Sequence, residues 1–472
     1  MRVVFVGSEA SPLAKVGGLA DVIGSLPLAL IRAGHDVRVM IPQYGSIDTG
    51  EHPLTTIIDK IDVPMFGWTE TASISTATLR GKVPVYLVGS SKYFSGKAVY
   101  TQNDLNRFLF FSKAVAEILP RLDWQPQIVH CHDWHAALAV MWLKKKHYPA
   151  PVIFTVHNLA YQGAFDESFL NSTGLVSDWN SPPGAPNPPY NYLGQGILWA
   201  DFITTVSENY AREIMTPEYG AGLDPLLRHR ENDFVGILNG IDRDEYNPEN
   251  DPNIPANYSW SNVNNKPVNK ASLQRGMNLP EDASVPLIGM VQRLVEQKGF
   301  DIFEKALPTL LEITKAQVVT LGEGTDNYEK MLRDATARYP RQVAGLSIFN
   351  EALAHLIYSG SDIFLMPSRY EPCGLGQLIA MRYGSVPVVR HTGGLADTVS
   401  ELSSDLSEGS GFVFHDYTPE ALVNAAKRST DAFRNKAAWK KVVQRIMRLD
   451  FSWDVSSTKY LAVYRRMLGE VS

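Results

Sequence analysis

The sequence predicts an α/β protein of two doubly wound domains facing a central cleft, and three observations carry that expectation. Short β-branched runs alternate with helical patterns along nearly the whole chain. The rhythm restarts after Asn239, within a stretch (236–255) crowded with Gly, Asn, Asp and Pro. The pentapeptide Gly-Gly-Leu-Ala-Asp occurs twice, starting at Gly17 and again at Gly393, each time between a strand-like run and a helical pattern.

Taken in order, a strand over 2–6 leads into a helix over 19–33 and a second strand over 36–41. Strands over 127–131, 152–156 and 202–206 continue the series. Beyond the boundary, strands over 287–291, 317–321, 363–366 and 386–389 each lead into a helix. Near-continuous apolar strands separated by helices imply parallel sheets covered on both faces. Such sheets bind ligands at the carboxyl ends of their strands. The expected domains are 1–238 and 239–453. A closing helix over 454–472, with Val455, Tyr460, Val463, Tyr464 and Met467 at helical spacing, packs back on the first domain. The proline-rich stretch 182–189 has no periodicity and reads as a surface loop.

At 472 residues the chain exceeds what one core serves and suits two domains of roughly 200 residues. A net charge of −6 argues against a nucleic-acid partner, because no basic surplus drives counterion release. Cys131 and Cys373 lie far apart, which favours a reduced compartment over a disulfide framework. No signal-peptide pattern follows Met1, and no apolar run reaches bilayer length, so no membrane partner is expected. The expected location is the cytoplasm; a plastid protein freed of its transit peptide would look the same.

The chemistry concentrates just after the strands. A glycine pair lets backbone N–H groups approach an anion where a helix begins, as at Gly17–Gly18 and Gly393–Gly394. Arg293 and Lys298 follow the strand ending at Val291, and Lys15 precedes the first glycine pair. Singly, each reads as a solvated surface cation. Three cations at strand ends beside glycine pairs point to phosphate, because fixed Arg and Lys donors stabilise a leaving diphosphate. Glu371, in Ser-Arg-Tyr-Glu-Pro-Cys-Gly-Leu, reads as a carboxylate for vicinal sugar hydroxyls, against the alternative of a helix cap.

Asp133 and Trp134 lie in His-Cys-His-Asp-Trp-His, where an aromatic beside a carboxylate suits a sugar. The same stretch offers an H-x-H pair, His130 and His132, with Asp133, His135 and the more distant His157 as further ligands. No spaced third and fourth ligand is evident, so no metal is expected. His157 reads as a general base, a donor to a sugar or a satisfied buried histidine. The lack of a Gly-x-Ser-x-Gly elbow disfavours a serine hydrolase.

Together these segments resemble the bacterial glycogen synthases and plant starch synthases over nearly the whole chain. The resemblance rests on Lys15-Val-Gly-Gly-Leu-Ala-Asp, His132-Asp-Trp-His, His157-Asn-Leu-Ala-Tyr-Gln-Gly, Asn239-Gly-Ile-Asp, Arg293 with Gln297-Lys-Gly, Glu371-Pro-Cys-Gly-Leu and Thr392-Gly-Gly-Leu. It implies a retaining glucosyltransferase of the GT-B type, with two Rossmann-like domains and no metal or other cofactor. The implied reaction transfers glucose from ADP-glucose to the non-reducing end of an α-1,4-glucan. Catalytic roles are implied for Arg293, Lys298, Glu371, His157 and Asp133. Donor binding is implied for Lys15, Gly17, Gly18, Asn239, Gln297, Phe349, Cys373, Gly374, Leu375, Thr392, Gly393 and Gly394, and acceptor contacts for Glu9 and Trp134. Phe349 stands where the family carries a tyrosine that stacks on adenine. Ile379 stands where sucrose-type relatives carry a second glutamate. The alternatives are UDP-glucose as donor, a silent glucan-binding homologue and, more distantly, a metal hydrolase.

Overall fold

The computed structural model describes residues 1–470. Its contacts divide the chain into two units, Met1–Gly240 joined by the residues from Trp453 onward, and Ile241–Ser452. The division falls two residues beyond the expected start at Asn239, and the chain rejoins the first unit one residue before the expected 454. Residues 471 and 472 of the expected closing helix lie outside the described residues.

The first unit holds a nine-stranded sheet. Its strands are β1 (Arg2–Val6), β2 (Asp36–Pro42), β3 (Thr55–Pro64), β4 (Thr69–Leu79), β5 (Val83–Gly89), β6 (Ile128–His132), β7 (Val152–Val156), β8 (Phe202–Thr205) and β9 (Phe234–Gly236). Their order is β3-β4-β5-β2-β1-β6-β7-β8-β9. From β5 to β9 the pairing is parallel, and the side chains of β6, β7 and β8 are buried throughout. That matches the apolar runs read from the sequence.

The expectation of a wholly parallel sheet needs correction, because β4 is antiparallel to both β3 and β5. Most of β3 faces solvent, and in β4 exposed positions interleave with buried ones. Half-solvated antiparallel pairs of this kind carry no continuous apolar signature.

The second unit is a six-stranded, entirely parallel sheet. It comprises β10 (Leu287–Val291), β11 (Gln317–Leu321), β12 (Val343–Leu346), β13 (Ile363–Met366), β14 (Val386–Arg390) and β15 (Phe412–Phe414), in the order β12-β11-β10-β13-β14-β15. Helices Phe300–Thr314, Gln-bearing Gly376–Arg382 and Pro419–Phe433 bury apolar stripes against one continuous core.

Both sheets reverse their winding once. In the first unit β1 has β2 on one side and β6 on the other; in the second, β10 has β11 and β13. At such a reversal the loops after two neighbouring strands diverge and leave a crevice at the carboxyl edge. Just after β1, β6, β10 and β13 the chain carries Lys15, Asp133, Arg293 with Lys298, and Glu371 respectively.

The last helix, Trp453–Met467, packs on the helix Gly18–Arg32 of the first unit. Arg32 and Asp454 form an ion pair at 2.7 Å, and Ser456 donates to the carbonyl of Leu238 at 2.6 Å. Tyr460, Val463 and Tyr464 are buried as expected, whereas Val455 faces solvent and Trp453 is buried.

The loop after β1 folds on the helix Gly18–Arg32, with the Ser11 amide donating to the Ala20 carbonyl at 3.0 Å. Gly24 in that helix lies so close that a Cβ there would sit 2.5 Å from the Ser11 carbonyl oxygen. Alanine normally favours a helix interior over glycine by about 1 kcal/mol. Here the clash reverses the sign. Gly24→Ala is expected to destabilise the first unit by about 1–3 kcal/mol in urea unfolding; a gain in stability would contradict the contact.

Candidate functional site

In the first unit the site is organised by a buried carboxylate. Glu9 Oε2 accepts the amides of Val16 at 2.6 Å and Gly17 at 2.9 Å, and Tyr100 donates its hydroxyl to Oε1. Burial raises the Glu9 pKa, opposed by the Tyr100 hydroxyl and these two amides. Glu9, expected to face an acceptor, thus holds the Lys15–Gly17 loop in shape. The Gly17 amide is likewise already taken, although no atom lies within 4 Å of where a Gly17 Cβ would be. Lys15 is steered by Asp21 at 2.8 Å, the last residue of the first pentapeptide. Gly18 is the first residue of the helix Gly18–Arg32.

Asp133 opens the helix Asp133–Lys145 with a φ of 58°, a conformation that costs a non-glycine residue about 1 kcal/mol or more. That turn brings its carboxylate onto the next loop, where Oδ1 accepts the His157 amide at 2.7 Å. Burial pushes the Asp133 carboxyl up to about 7, against the lowering pull of the His157 and Asn158 amides. Burial likewise pushes His157 down to about 3, so its ring is neutral.

The strand-end histidines are hydrogen-bonding groups. His130 meets Tyr464 at 2.8 Å through Nδ1 and Thr155 at 2.6 Å through Nε2, while His132 Nδ1 meets His157 Nε2 at 2.9 Å. Among the described residues no group of three or more His, Cys, Asp or Glu is arranged to hold a metal ion. Trp134 differs from expectation. Gly163 lies against its indole so tightly that a Cβ would be 2.3 Å from Cε3, and Phe108 and His135 pack on it from 5.3 and 4.2 Å. Asn239 is buried, and its Oδ1 has no hydrogen-bond partner among the described residues.

In the second unit, the loops after β10 and β13 are joined by charge. Lys298 Nζ donates to Glu371 Oε2 at 2.5 Å, and Ser368 Oγ donates to the same oxygen at 3.1 Å. Both side chains of the ion pair are largely buried, at 13% and 6% exposure, so the pair is held away from screening water. Arg293 is more exposed and donates to Gln297 Oε1 at 3.3 Å. The Gln297 carbonyl accepts the Arg369 amide at 2.9 Å. Arg369 in turn pairs with Glu296 at 2.7 Å and Asp301 at 3.0 Å, with its guanidinium over the Tyr417 ring.

The second glycine pair answers to backbone crowding. Gly393 has a φ of 44°, and a Cβ there would fall 1.8 Å from the Glu371 carbonyl oxygen. The Gly394 amide donates to the carbonyls of Glu371 and Pro372, so it is not directed at a ligand as expected. The helix that follows, Gly393–Thr398, is too short to supply a strong dipole. Thr392 is buried at its start, and Leu375 stands at the start of Gly376–Arg382. Gly374 has a φ of 73°, its carbonyl and that of buried Cys373 accepting Gln377 Nε2 at 2.9 and 3.2 Å. Among the described residues Phe349 is the most exposed large apolar side chain, at 76%, with its amide fixed by Glu323 at 3.1 Å.

Sequence reading missed Tyr100, Ser368 as a partner of Glu371, Asp21 as a partner of Lys15, and the Arg369 clamp. Tyr100 lies 91 residues from Glu9, and no local pattern marks it. Asp21 was legible, since it ends a repeated pentapeptide that begins two residues after a lysine.

The raised Asp133 pKa has a measurable consequence. An acid held above its unfolded value favours folding at low pH and loses that contribution as pH rises from 3.8 to about 7. Asp133→Asn keeps an acceptor for the His157 amide without the charge. The variant is expected to exceed wild type in unfolding free energy above pH 7. The difference should shrink as pH falls, by about 1.4 kcal/mol per unit. A difference independent of pH in urea titrations would contradict the burial argument.

Residues 2–229 match the family model described as starch synthase catalytic domain, and residues 278–438 match that of glycosyl transferases group 1. The chain is 43% identical to the glycogen synthase of Geotalea daltonii, over 100% of this chain and 99% of the relative. It is 42% identical to that of Desulforamulus reducens, over 99% of each. The solved catalytic domain of starch synthase IV from Arabidopsis thaliana, bound to ADP and acarbose, superimposes with a TM-score of 0.91 at 34% identity, covering 99% of each chain. Sucrose-phosphate synthase from Thermosynechococcus elongatus, at 16% identity and a TM-score of 0.62, shares the GT-B fold alone. With likeness running end to end through both sheets and their loops, this chain belongs to the glycogen synthase and starch synthase family and is a glycosyltransferase.

Proposed function

We propose that the donor is ADP-glucose and that glucose passes, with retention, to the non-reducing end of an α-1,4-glucan primer. The observation that carries this reading is the Lys298–Glu371 pair at the carboxyl edge of the second sheet, with Arg293 in the same loop. The ammonium of Lys298 has three donors and gives one to Glu371, leaving others for a phosphate oxygen. Glu371 engages Lys298 and Ser368 through Oε2, so Oε1 remains an acceptor for sugar hydroxyls. As the glycosidic bond breaks, negative charge grows on the diphosphate, and cations already in place stabilise it without reorganisation. The departing phosphate can take the proton of the incoming hydroxyl, so the reaction needs no dedicated base.

Adenine as the base is supported by the ADP in the related starch synthase IV, and the glucan acceptor by the glycogen synthase relatives. Exposed Phe349 offers a stacking face for it. In this reading donor roles go, within the first unit, to Lys15, Asn239 and the loop at Gly17–Gly18 and, within the second, to Gln297 and the loops at Cys373–Leu375 and Thr392–Gly394. Their glycines set loop shape as much as they supply amides. His157 and Asp133 line the sugar side, with Glu9 and Trp134 shaping it from behind. The reading assigns no resident metal or cofactor, no nucleic-acid partner and a cytoplasmic location. Among the described residues, no helix is long and apolar enough to cross a membrane.

The direct test is transfer of labelled glucose from ADP-glucose and UDP-glucose, each with and without glycogen primer. Primer-dependent transfer from ADP-glucose is expected. Preference for UDP-glucose, or glucan binding without release of ADP, would overturn the reading. Arg293→Ala and Lys298→Ala should each lower kcat by about a hundred- to a thousandfold, corresponding to roughly 3–4 kcal/mol of lost transition-state stabilisation. Near-wild-type turnover in either would remove that residue from the diphosphate site.

A further inference from the structure

His132 and His157 share one hydrogen bond, Nδ1 to Nε2 at 2.9 Å. Burial lowers the pKa of both rings, so both are neutral imidazoles, each with a single N–H. Only one of the two nitrogens in the bond therefore carries the proton, and the surroundings of His132 decide which. Its ring is stacked on Phe5, with centroids 5.2 Å apart and 16° between planes, and packs on His130 at 4.2 Å. His130 cannot accept from it, since both His130 nitrogens are engaged by Tyr464 and Thr155. The other nitrogen of His132, Nε2, is buried with no hydrogen-bond partner among the described residues. A proton on Nε2 would be an unpaired buried donor, which is rarer in folded proteins than an unpaired buried acceptor.

We infer that His132 is a positioning residue: it carries its proton on Nδ1, donates to His157 Nε2, and so fixes His157 as the tautomer protonated on Nδ1. His157 then presents an N–H, not a lone pair, from Nδ1. Its backbone is pinned at the same time by its amide bond to Asp133 Oδ1 at 2.7 Å. The inference rests on the proposed function in one respect, that the His157 loop meets the transferred sugar. There the N–H donates to a sugar oxygen, and His157 does not act as a base.

The tautomer is read in the ligand-free enzyme from long-range proton–nitrogen correlation spectra of protein carrying nitrogen-labelled histidine. His157 should show a protonated Nδ1 and a bare Nε2, and His132 the same. Two variants separate hydrogen bonding from packing. In His132→Asn the amide nitrogen occupies the position of Nδ1 and still donates, although volume is lost. In His132→Phe the volume is kept and the donor is lost. His132→Asn should keep the His157 tautomer and most of the turnover. His132→Phe should lose the tautomer and about tenfold in kcat, with KM for the donor nearly unchanged. Protonated Nε2 on wild-type His157, or a Phe variant that outperforms the Asn variant, would overturn the assignment. If wild type transfers no glucose at all, the proposed function fails, whereas the ligand-free spectrum still confirms or refutes the tautomer.

Discussion

The reversal of strand order within each sheet is the constraint on which the sites depend. Parallel strands send all their carboxyl ends to one edge, but most loops there are pressed together by neighbouring connections that run the same way. Between β1 and β6, and between β10 and β13, the strand order reverses and successive connections diverge. The register makes these neighbours close: Val6 lies beside Cys131, and Gly289 beside Phe364. Loops far apart in sequence therefore leave the sheet side by side, Lys15 with Asp133 in one unit and Lys298 with Glu371 in the other.

The twice-used pentapeptide shows how one local sequence serves two physical ends. At Gly17 the space beside Cα is open, and the loop is held from beneath by Glu9. At Gly393 and Gly394 the glycines exist because the Glu371–Cys373 backbone lies against them, leaving no room for a side chain. The first copy shapes a loop beside a lysine. The second locks the turn that bears Glu371. Both uses need glycine, which is why the sequence alone made them look equivalent.

The two candidate sites also handle charge differently. At the ends of β6 and β7 ionisable groups are buried with little counter-charge, so Asp133 is pushed toward protonation and its histidines are held neutral. The loops after β10 and β13 pair charges directly, Lys298 with Glu371 and Arg369 with Glu296 and Asp301. A neutral, hydrogen-bonding surface suits hydroxyl groups, whereas preorganised cations suit a diphosphate.

By itself the sequence determined the central parallel strands and their motif-bearing loops, whereas the outer parallel strands β5, β9, β12 and β15 went unread. Runs such as Val152–Val156 and Leu287–Val291 are apolar on both faces because helices cover both, and that is a local signal. The hairpin of β3 and β4 escaped notice because its exposed positions interrupt any apolar run. The placement of Arg293, Lys298, Glu371 and His157 just after strands was likewise legible. What tertiary structure alone decided was partnership. Glu9 meets Tyr100 across 91 residues and Lys298 meets Glu371 across 73, contacts created by strand order and not by spacing. The protonation of Asp133 and the tautomer of His157 follow from burial and from neighbours on other strands. No stretch of chain contains that information until the sheet has formed.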